Sequence, residues 1–218
     1  MDATEERAKA LQANTITMVV CSYGHLGTRN RTPREIVGYG MYLDNCWKAA
    51  MNLSHHGYRV NLISCGGAVD ENGDIEAETM VKYFQGRWEQ TVKLTMVYGK
   101  LIFGTYADPM NIQINCENRS LTTPANLAQA KFLIGIWLGG KILVCCDKAR
   151  EYKVRWLVKK LYADLPNTEV VAFERPDITF KSTKLFQFLE TMALAIIPKL
   201  LQKRISEIRK KGMCDAKD

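Results

Sequence analysis

Runs of β-branched and other apolar residues recur along the chain and alternate with stretches in which the apolar residues follow a helical spacing. The runs that predict strands are residues 15–22, 58–65, 111–116, 141–146 and 169–174. The stretches that predict helices begin near residue 35 or 39, at 74, at 124 and at 147, and end near residues 55, 84, 138 and 161. Strands that alternate with helices are typical of βαβ units. The pattern therefore predicts an α/β protein with a Rossmann-like three-layer fold and a mostly parallel sheet.

Two parts of the chain depart from this alternation. Residues 91–98 and 101–106 are rich in β-branched and aromatic residues, and we expect them to form a hairpin about residues 99–100. Residues 183–211 form a long stretch with helical periodicity, in which Pro198 should kink or divide the helix. We therefore expect an α/β domain at residues 14–182 and a C-terminal helix or helix pair at residues 183–212, which packs on the domain or extends from it.

Composition and charge narrow the class of protein. The 218 residues include 47% hydrophobic and 24% charged residues, which is ordinary for a globular protein. The acidic N-terminus does not resemble a signal peptide, and no run approaches the roughly 20 apolar residues of a membrane span. Seven cysteines without a C-x-x-C pair argue against a disulfide framework and a structural zinc site. We expect a soluble, cytoplasmic protein without a metal site.

The net charge of +7 is concentrated near the C-terminus, where residues 196–218 hold seven basic and three acidic side chains. A basic helix of this kind can contact nucleic acid or an anionic membrane surface. A charged, solvated face is the more frequent explanation of such a pattern. Binding of a partner through this helix therefore stays a second hypothesis.

The segment that follows the third predicted strand carries the main candidate site. Glu117, Ser120, Thr123 and Asn126 recur every third residue, so they would line one ridge if the turn were helical. A carboxylate, two hydroxyls and an amide would then face one ligand. Helix capping is the alternative, because Ser, Thr and Asn are common N-cap residues and Pro124 suits a first helical turn.

Further candidates follow the other predicted strands. Gly24 and the pair Gly66-Gly67 come directly after strands, where glycine lets backbone amides approach a ligand closely. Asp147 follows the fourth strand, and Glu76 lies at a helix start, where it either supports the cap or belongs to the site. In a parallel sheet these positions border one crevice at the carboxyl ends of the strands.

Cysteine and histidine suggest other chemistry. The cysteines near strand ends are Cys21, Cys65, Cys116, Cys145 and Cys146. They could bind a metal or react with oxidants. Core packing is the more frequent role, because free cysteine is usually buried and no histidine has a matching spacing. His25 could act as an acid or base, although a loop histidine without a visible partner is more often a neutral surface residue.

Several segments together resemble the domain family that includes the bacterial proteins YdcF, SanA and ElyC. The segments that carry the resemblance are Val19 to Gly24, Ser64 to Gly67, Glu76 to Met80, Glu117 to Asn126 and Val144 to Asp147. Their order and spacing match from residue 16 to about 162, and the Glu-x-x-Ser-x-x-Thr-x-x-Asn motif is the most specific part. This chain has Lys148, Ala149 and Arg150 where the family usually has a histidine.

The resemblance implies a Rossmann-like domain that binds a nucleotide-type small molecule, with S-adenosylmethionine as one possible cofactor. The family has no securely assigned reaction, so the resemblance leaves catalysis open. The ligand-binding residues that it implies are Gly24, Gly66, Gly67, Glu76, Glu117, Ser120, Thr123, Asn126 and Asp147.

Overall fold

A five-stranded parallel sheet forms the centre of the computed structural model, with the strand order β3-β2-β1-β4-β5. The strands are β1 (Thr15–Cys21), β2 (Arg59–Cys65), β3 (Ile112–Glu117), β4 (Lys141–Asp147) and β5 (Thr168–Phe173). The structure describes residues 14–22, 32–67, 73–98, 111–120, 122–136, 140–175 and 192. Gly24, His25 and, apart from residue 192, the predicted C-terminal helical arm at residues 183–212 lie outside these ranges.

Helices cover the sheet and connect its strands. They are α1 (Pro33–His55), α2 (Glu76–Tyr98), α3 (Thr123–Ile136) and α4 (Glu151–Leu161), and a 3₁₀ turn (Lys148–Arg150) precedes α4. Helix α1 packs against α2, and α3 packs against α4. Because parallel connections are right-handed, the reversal of strand order at β1 puts these two pairs on opposite faces of the sheet. The α/β class and the Rossmann-like three-layer fold are therefore confirmed.

The local sequence explains where the first helix begins and ends. The Thr32 side chain accepts a hydrogen bond from the backbone N–H of Glu35, whose carboxylate accepts one from the N–H of Thr32. This capping box, followed by Pro33, fixes the start of α1. Gly57 follows the helix with a φ of 85°, a conformation that suits glycine. As predicted, this glycine closes the helix.

The predicted hairpin at residues 91–106 is wrong in its first half, because residues 91–98 are the last part of α2. Met80 and Phe84 of the same helix are buried and Trp88 packs against the core, so packing holds the helix just before this segment. The Thr91 hydroxyl donates to the carbonyl of Arg87 at 2.8 Å. This hydrogen bond to the preceding turn satisfies the polar side chain of a β-branched residue within the helix. Packing against β3 thus outweighs the local strand preference.

Tyr42 supports the place where the strand order reverses. This tyrosine of α1 is fully buried, and its hydroxyl oxygen lies 3.0 Å from the carbonyl oxygens of both Cys21 and Cys145. The hydroxyl therefore bridges the neighbouring ends of β1 and β4. A parallel ladder leaves such carbonyls without strand partners once two strands diverge.

We expect Tyr42→Phe to lower the free energy of unfolding by about 1–2 kcal/mol, because it removes the one buried hydrogen-bond donor that the two carbonyl oxygens share. Urea denaturation would measure the change. Tyr58→Phe, at a partly buried position, is the matched control and should change stability by less than about 0.5 kcal/mol. Equal losses in the two variants would contradict a bridging role for Tyr42.

Within the described ranges, no helix is both long enough and apolar enough to cross a membrane.

Candidate functional site

The carboxyl ends of the strands lie side by side along one edge of the sheet. Cys21 pairs in register with Cys65, Cys65 with Glu117, and Asp147 with Phe173. The predicted site residues Glu117 and Asp147 are thus the last residues of β3 and β4. Since β2 and β1 lie between these two strands, three strand spacings of ~4.8 Å each separate the two strand ends by roughly 14 Å. The edge accordingly divides into a β2–β3 half and a β4–β5 half.

Glu117 dominates the β2–β3 half. It is only 5% exposed, and its Oε1 accepts hydrogen bonds from the backbone N–H groups of Arg119 (3.0 Å) and Ser120 (3.1 Å). Its Oε2 is also buried and has no hydrogen-bond partner among the described residues, and the same is true of Ser120 Oγ. A buried carboxylate oxygen and a buried hydroxyl therefore remain available to a ligand or to a segment outside the described ranges.

Gly67 holds the backbone that carries Ser120. Its N–H donates to the Ser120 carbonyl at 2.7 Å, while the N–H of Gly66 donates to the Glu117 carbonyl at 2.9 Å. A Cβ on Gly67 would lie 2.7–2.8 Å from backbone atoms of Asn118, Arg119 and Ser120. This corrects the role predicted for the two glycines: their amides are already used within the protein, and close backbone contact is the reason for a glycine at position 67.

Ser22 and Glu76 extend the cluster toward β1. A Cβ added to Gly66 would lie within clashing distance of Ser22 Oγ and 2.7 Å from Glu76 Oε2, so both oxygens flank the same glycine. Glu76 is the first residue of α2 and is 3% exposed. The structure thus places this carboxylate beside the carboxyl ends of β1 and β2.

Asn126 and Thr122 complete the β2–β3 half. Thr122 Oγ1 accepts from the N–H of Ala125 at 3.3 Å, so the residue that caps α3 is Thr122 and none of the four motif residues. The buried Asn126 amide donates to the Cys65 carbonyl at 3.4 Å. In its other orientation the amide donates to the carbonyls of Ser120 (2.9 Å) and Thr122 (3.1 Å). Asn126 of α3 therefore bonds to the end of β2 in one orientation and to the preceding loop in the other.

The predicted helical ridge is wrong, because residues 118–120 and 122 are not helical. Glu117, Ser120 and Asn126 nevertheless converge, each 4–5% exposed, since the loop folds back on itself instead of winding into α3. Thr123 begins α3 and is only partly buried, so it does not share the burial of the other three.

The β4–β5 half contains a second set of charged residues. Asp147 is 1% exposed, and its Oδ2 lies 3.5 Å from the guanidinium of Arg175, which follows β5. The same guanidinium lies 5.8 Å from the centre of the Tyr39 ring of α1. Arg175 and Ser22 belong to the site region although sequence patterns did not single them out. The available signal was that Ser22 is the last residue of a predicted strand and Arg175 directly follows one.

Cysteines near the strand ends behave mainly as core residues. The buried cysteines are Cys21, Cys65, Cys145 and Cys146. Burial is the main cause that raises their thiol pKa values, except at Cys145, where a hydrogen bond with Cys46 contributes most. These thiols therefore remain protonated. Cys116 is exposed, and partial desolvation with help from Glu78 and Glu117 raises its pKa to about 11. Within the described ranges, no group of three or more potential ligands could hold a metal ion.

A separate groove of about 490 Å³ lies between α2 and β3 and is lined by Gln85, Trp88, Glu89, Ile112 and Ile114. It follows the first half of the edge strand, away from the carboxyl ends. Its polar residues are surface side chains of α2, so we do not associate it with the buried carboxylates.

No protein-family model, curated protein or solved structure matches this chain.

Proposed function

We propose that the protein binds a nucleotide-type small molecule in the crevice at the carboxyl ends of its strands, with S-adenosylmethionine as one candidate. The observation that carries the proposal is the buried Glu117 Oε2 beside the buried Ser120 Oγ, neither of which has a hydrogen-bond partner among the described residues. Burying a polar atom without a partner is costly, and buried charge costs more. A ligand that supplies donors to both oxygens relieves that cost.

The chemistry of the two groups selects the part of the ligand that they contact. An ionised carboxylate only accepts hydrogen bonds, whereas a hydroxyl both donates and accepts. Ribose hydroxyls or an amino group satisfy Glu117 Oε2, and a neighbouring hydroxyl satisfies Ser120. A nucleoside or an amino-acid-bearing nucleoside has these groups, which is why we favour a nucleotide-type ligand over a simple anion at this half of the crevice.

The fold supports a site at the same edge of the sheet. In open parallel sheets, ligands bind beyond the carboxyl ends of the strands, near the position where the strand order reverses. That position lies here between β1 and β4, next to Ser22 and Asp147. Membership of the YdcF/SanA/ElyC-like family remains part of the proposal, and we assign no reaction to the site.

A calorimetric screen tests the proposal. Purified protein is titrated with S-adenosylmethionine, adenosine, ADP and a sugar nucleotide, and any molecule that co-purifies with the protein is identified by mass spectrometry. We expect saturable binding of at least one nucleoside-containing compound with a stoichiometry near one. Failure of every compound to bind, together with tight binding to RNA or anionic vesicles, would instead favour the hypothesis that the basic C-terminal segment recruits a partner.

A further inference from the structure

We propose that the β2–β3 half of the crevice binds a primary ammonium group of the ligand, which contacts Glu117 Oε2 and Ser120 Oγ. The inference rests on the proposed function and narrows it, because the proposed function admits a neutral ribose hydroxyl at Glu117 as well as an amino group. The charges and hydrogen bonds around Glu117 select between the two.

Glu117 carries a buried negative charge without a basic partner. Its hydrogen bonds come from the backbone N–H groups of Arg119 and Ser120, and both end on Oε1. Within the described ranges, no lysine or arginine side chain forms an ion pair with this carboxylate. Buried charges in proteins are normally paired, because an isolated charge is costly to remove from water. A ligand with a positive charge therefore offsets a cost that a neutral ligand leaves in place.

The charged residues near Glu117 do not supply that positive charge. Glu78 of α2 accepts a hydrogen bond from the side-chain amide of Asn118 at 2.8 Å, and Glu76 is a second carboxylate with contacts of its own. The Arg119 side chain is exposed and forms no ion pair with a described residue. The surroundings of Glu117 are thus acidic and attract a cation.

Two buried oxygens show where the cation binds, which acidic residues alone would not do. Glu117 Oε2 and Ser120 Oγ are both shielded from solvent, and neither has a hydrogen-bond partner in the described part of the chain. Both side chains are 5% exposed. The N–H of Ser120 donates to Glu117 Oε1 at 3.1 Å, so the two residues are in direct contact. An ammonium group has three donors, which is enough for both oxygens.

The hydrogen bonds of Glu117 favour an ammonium over other cations. A guanidinium binds a carboxylate best through two parallel hydrogen bonds, but two backbone N–H groups already occupy Oε1. A metal ion needs several ligands, and the described residues contain no group of three or more His, Cys, Asp or Glu side chains that could hold one. An ammonium is a compact charge, so one carboxylate oxygen and one hydroxyl are sufficient. The ligand class that follows is a nucleoside with a primary amine.

Ethylammonium chloride is the probe for the ammonium subsite. Tetramethylammonium chloride keeps the ionic strength constant, because it has the same charge but no N–H donor. We expect ethylammonium to raise the midpoint of thermal unfolding of the wild-type protein saturably, with half of the effect at about 1–10 mM, an affinity that three non-hydrogen atoms can provide. Sodium chloride in place of ethylammonium should have no saturable effect.

Variants test the two contacts separately. Glu117→Gln should raise the ethylammonium concentration for half of the effect about tenfold or more, because it removes a charge-assisted hydrogen bond. Ser120→Ala should raise it about three- to tenfold, because it removes a neutral acceptor. Glu169→Gln changes a largely exposed carboxylate that pairs with Lys141, and this variant should respond like the wild type.

The outcomes separate this inference from the proposed function. The ammonium subsite is refuted if ethylammonium acts on the wild-type protein no differently from sodium or tetramethylammonium, or if Glu117→Gln responds like the wild type. Binding of adenosine or ADP in the calorimetric screen, without a response to ethylammonium, would support the proposed function and remove the amine from it. A response to ethylammonium that depends on Glu117, without binding of any nucleoside, would support the subsite and remove the nucleotide-type ligand.

Discussion

Gly67→Ala is expected to lower the free energy of unfolding by about 3 kcal/mol or more. The added Cβ would lie 2.7 Å from the carbonyl carbon of Arg119, 2.8 Å from the carbonyl oxygen of Asn118 and 2.8 Å from the backbone nitrogen of Ser120. Distances below 3.0 Å between such atoms do not occur without a shift. Thermal and urea denaturation of the variant would measure the loss.

The clash is costly because every atom involved belongs to a constrained backbone. Three hydrogen bonds hold the loop at residues 118–120. The Gly67 N–H donates to the Ser120 carbonyl, and Glu117 Oε1 accepts from the backbone N–H groups of Arg119 and Ser120. A side chain could rotate away from a new methyl group, but this loop cannot move without breaking those hydrogen bonds. The substitution should therefore also displace Ser120 and weaken any ligand binding at the β2–β3 half.

Gly86→Ala is the matched control for this prediction. Gly86 lies inside α2, and a Cβ there would meet no atom within 4 Å. Alanine is the better helix former, so this variant should be more stable than the wild type by about 0.5–1 kcal/mol. If Gly67→Ala were as stable as Gly86→Ala, the loop would have to be held less tightly than the hydrogen bonds indicate.

Local sequence was sufficient to predict the sheet. Strands such as β1 and β4 are buried on both faces, so most of their residues are apolar and the pattern is clear. The parallel arrangement followed from the helices between the strands. The last turns of α2 were not predictable in this way, because Thr91 has a strand preference that only contacts with the folded protein override.

The candidate site was predictable only in part. Glu117 and Asp147 were predicted as site residues because each directly follows a predicted strand, and the structure places them at the ends of β3 and β4 on one edge of the parallel sheet. The convergence of Ser120 and Asn126 with Glu117 depends on a loop that folds back. The periodicity of the local sequence does not predict such a loop conformation. Arg175 was missed because its burial beside Asp147 is a consequence of tertiary packing.

Glu117→Gln is expected to lower the affinity for the ligand found by the calorimetric screen ~10- to 100-fold, since hydrogen bonds to a charged group contribute about 1.5–3 kcal/mol. Glutamine keeps the size of the side chain and one oxygen, so it can still accept from the N–H groups of Arg119 and Ser120. Its other terminal atom becomes an amide nitrogen, which donates hydrogen bonds and no longer accepts those of a ligand.

The same substitution should not destabilise the protein without ligand. The native Glu117 carboxylate is 5% exposed, and replacing a buried charge by a neutral group of similar shape reduces the cost of desolvation. We therefore expect an unfolding free energy equal to or above that of the wild type by up to about 1 kcal/mol. Loss of binding without loss of stability is the pattern of a residue retained for a ligand.

Glu169→Gln provides the comparison for both measurements. Glu169 is the second residue of β5 and pairs with Lys141 at the opposite end of the sheet, where both side chains are largely exposed. An exposed ion pair contributes little, so this variant should match the wild type in affinity and lie within about 0.5 kcal/mol in stability. A folded Glu117→Gln protein with wild-type affinity would show that the buried carboxylate serves only the loop, and the crevice at the β2–β3 half would lose its assignment as a ligand site.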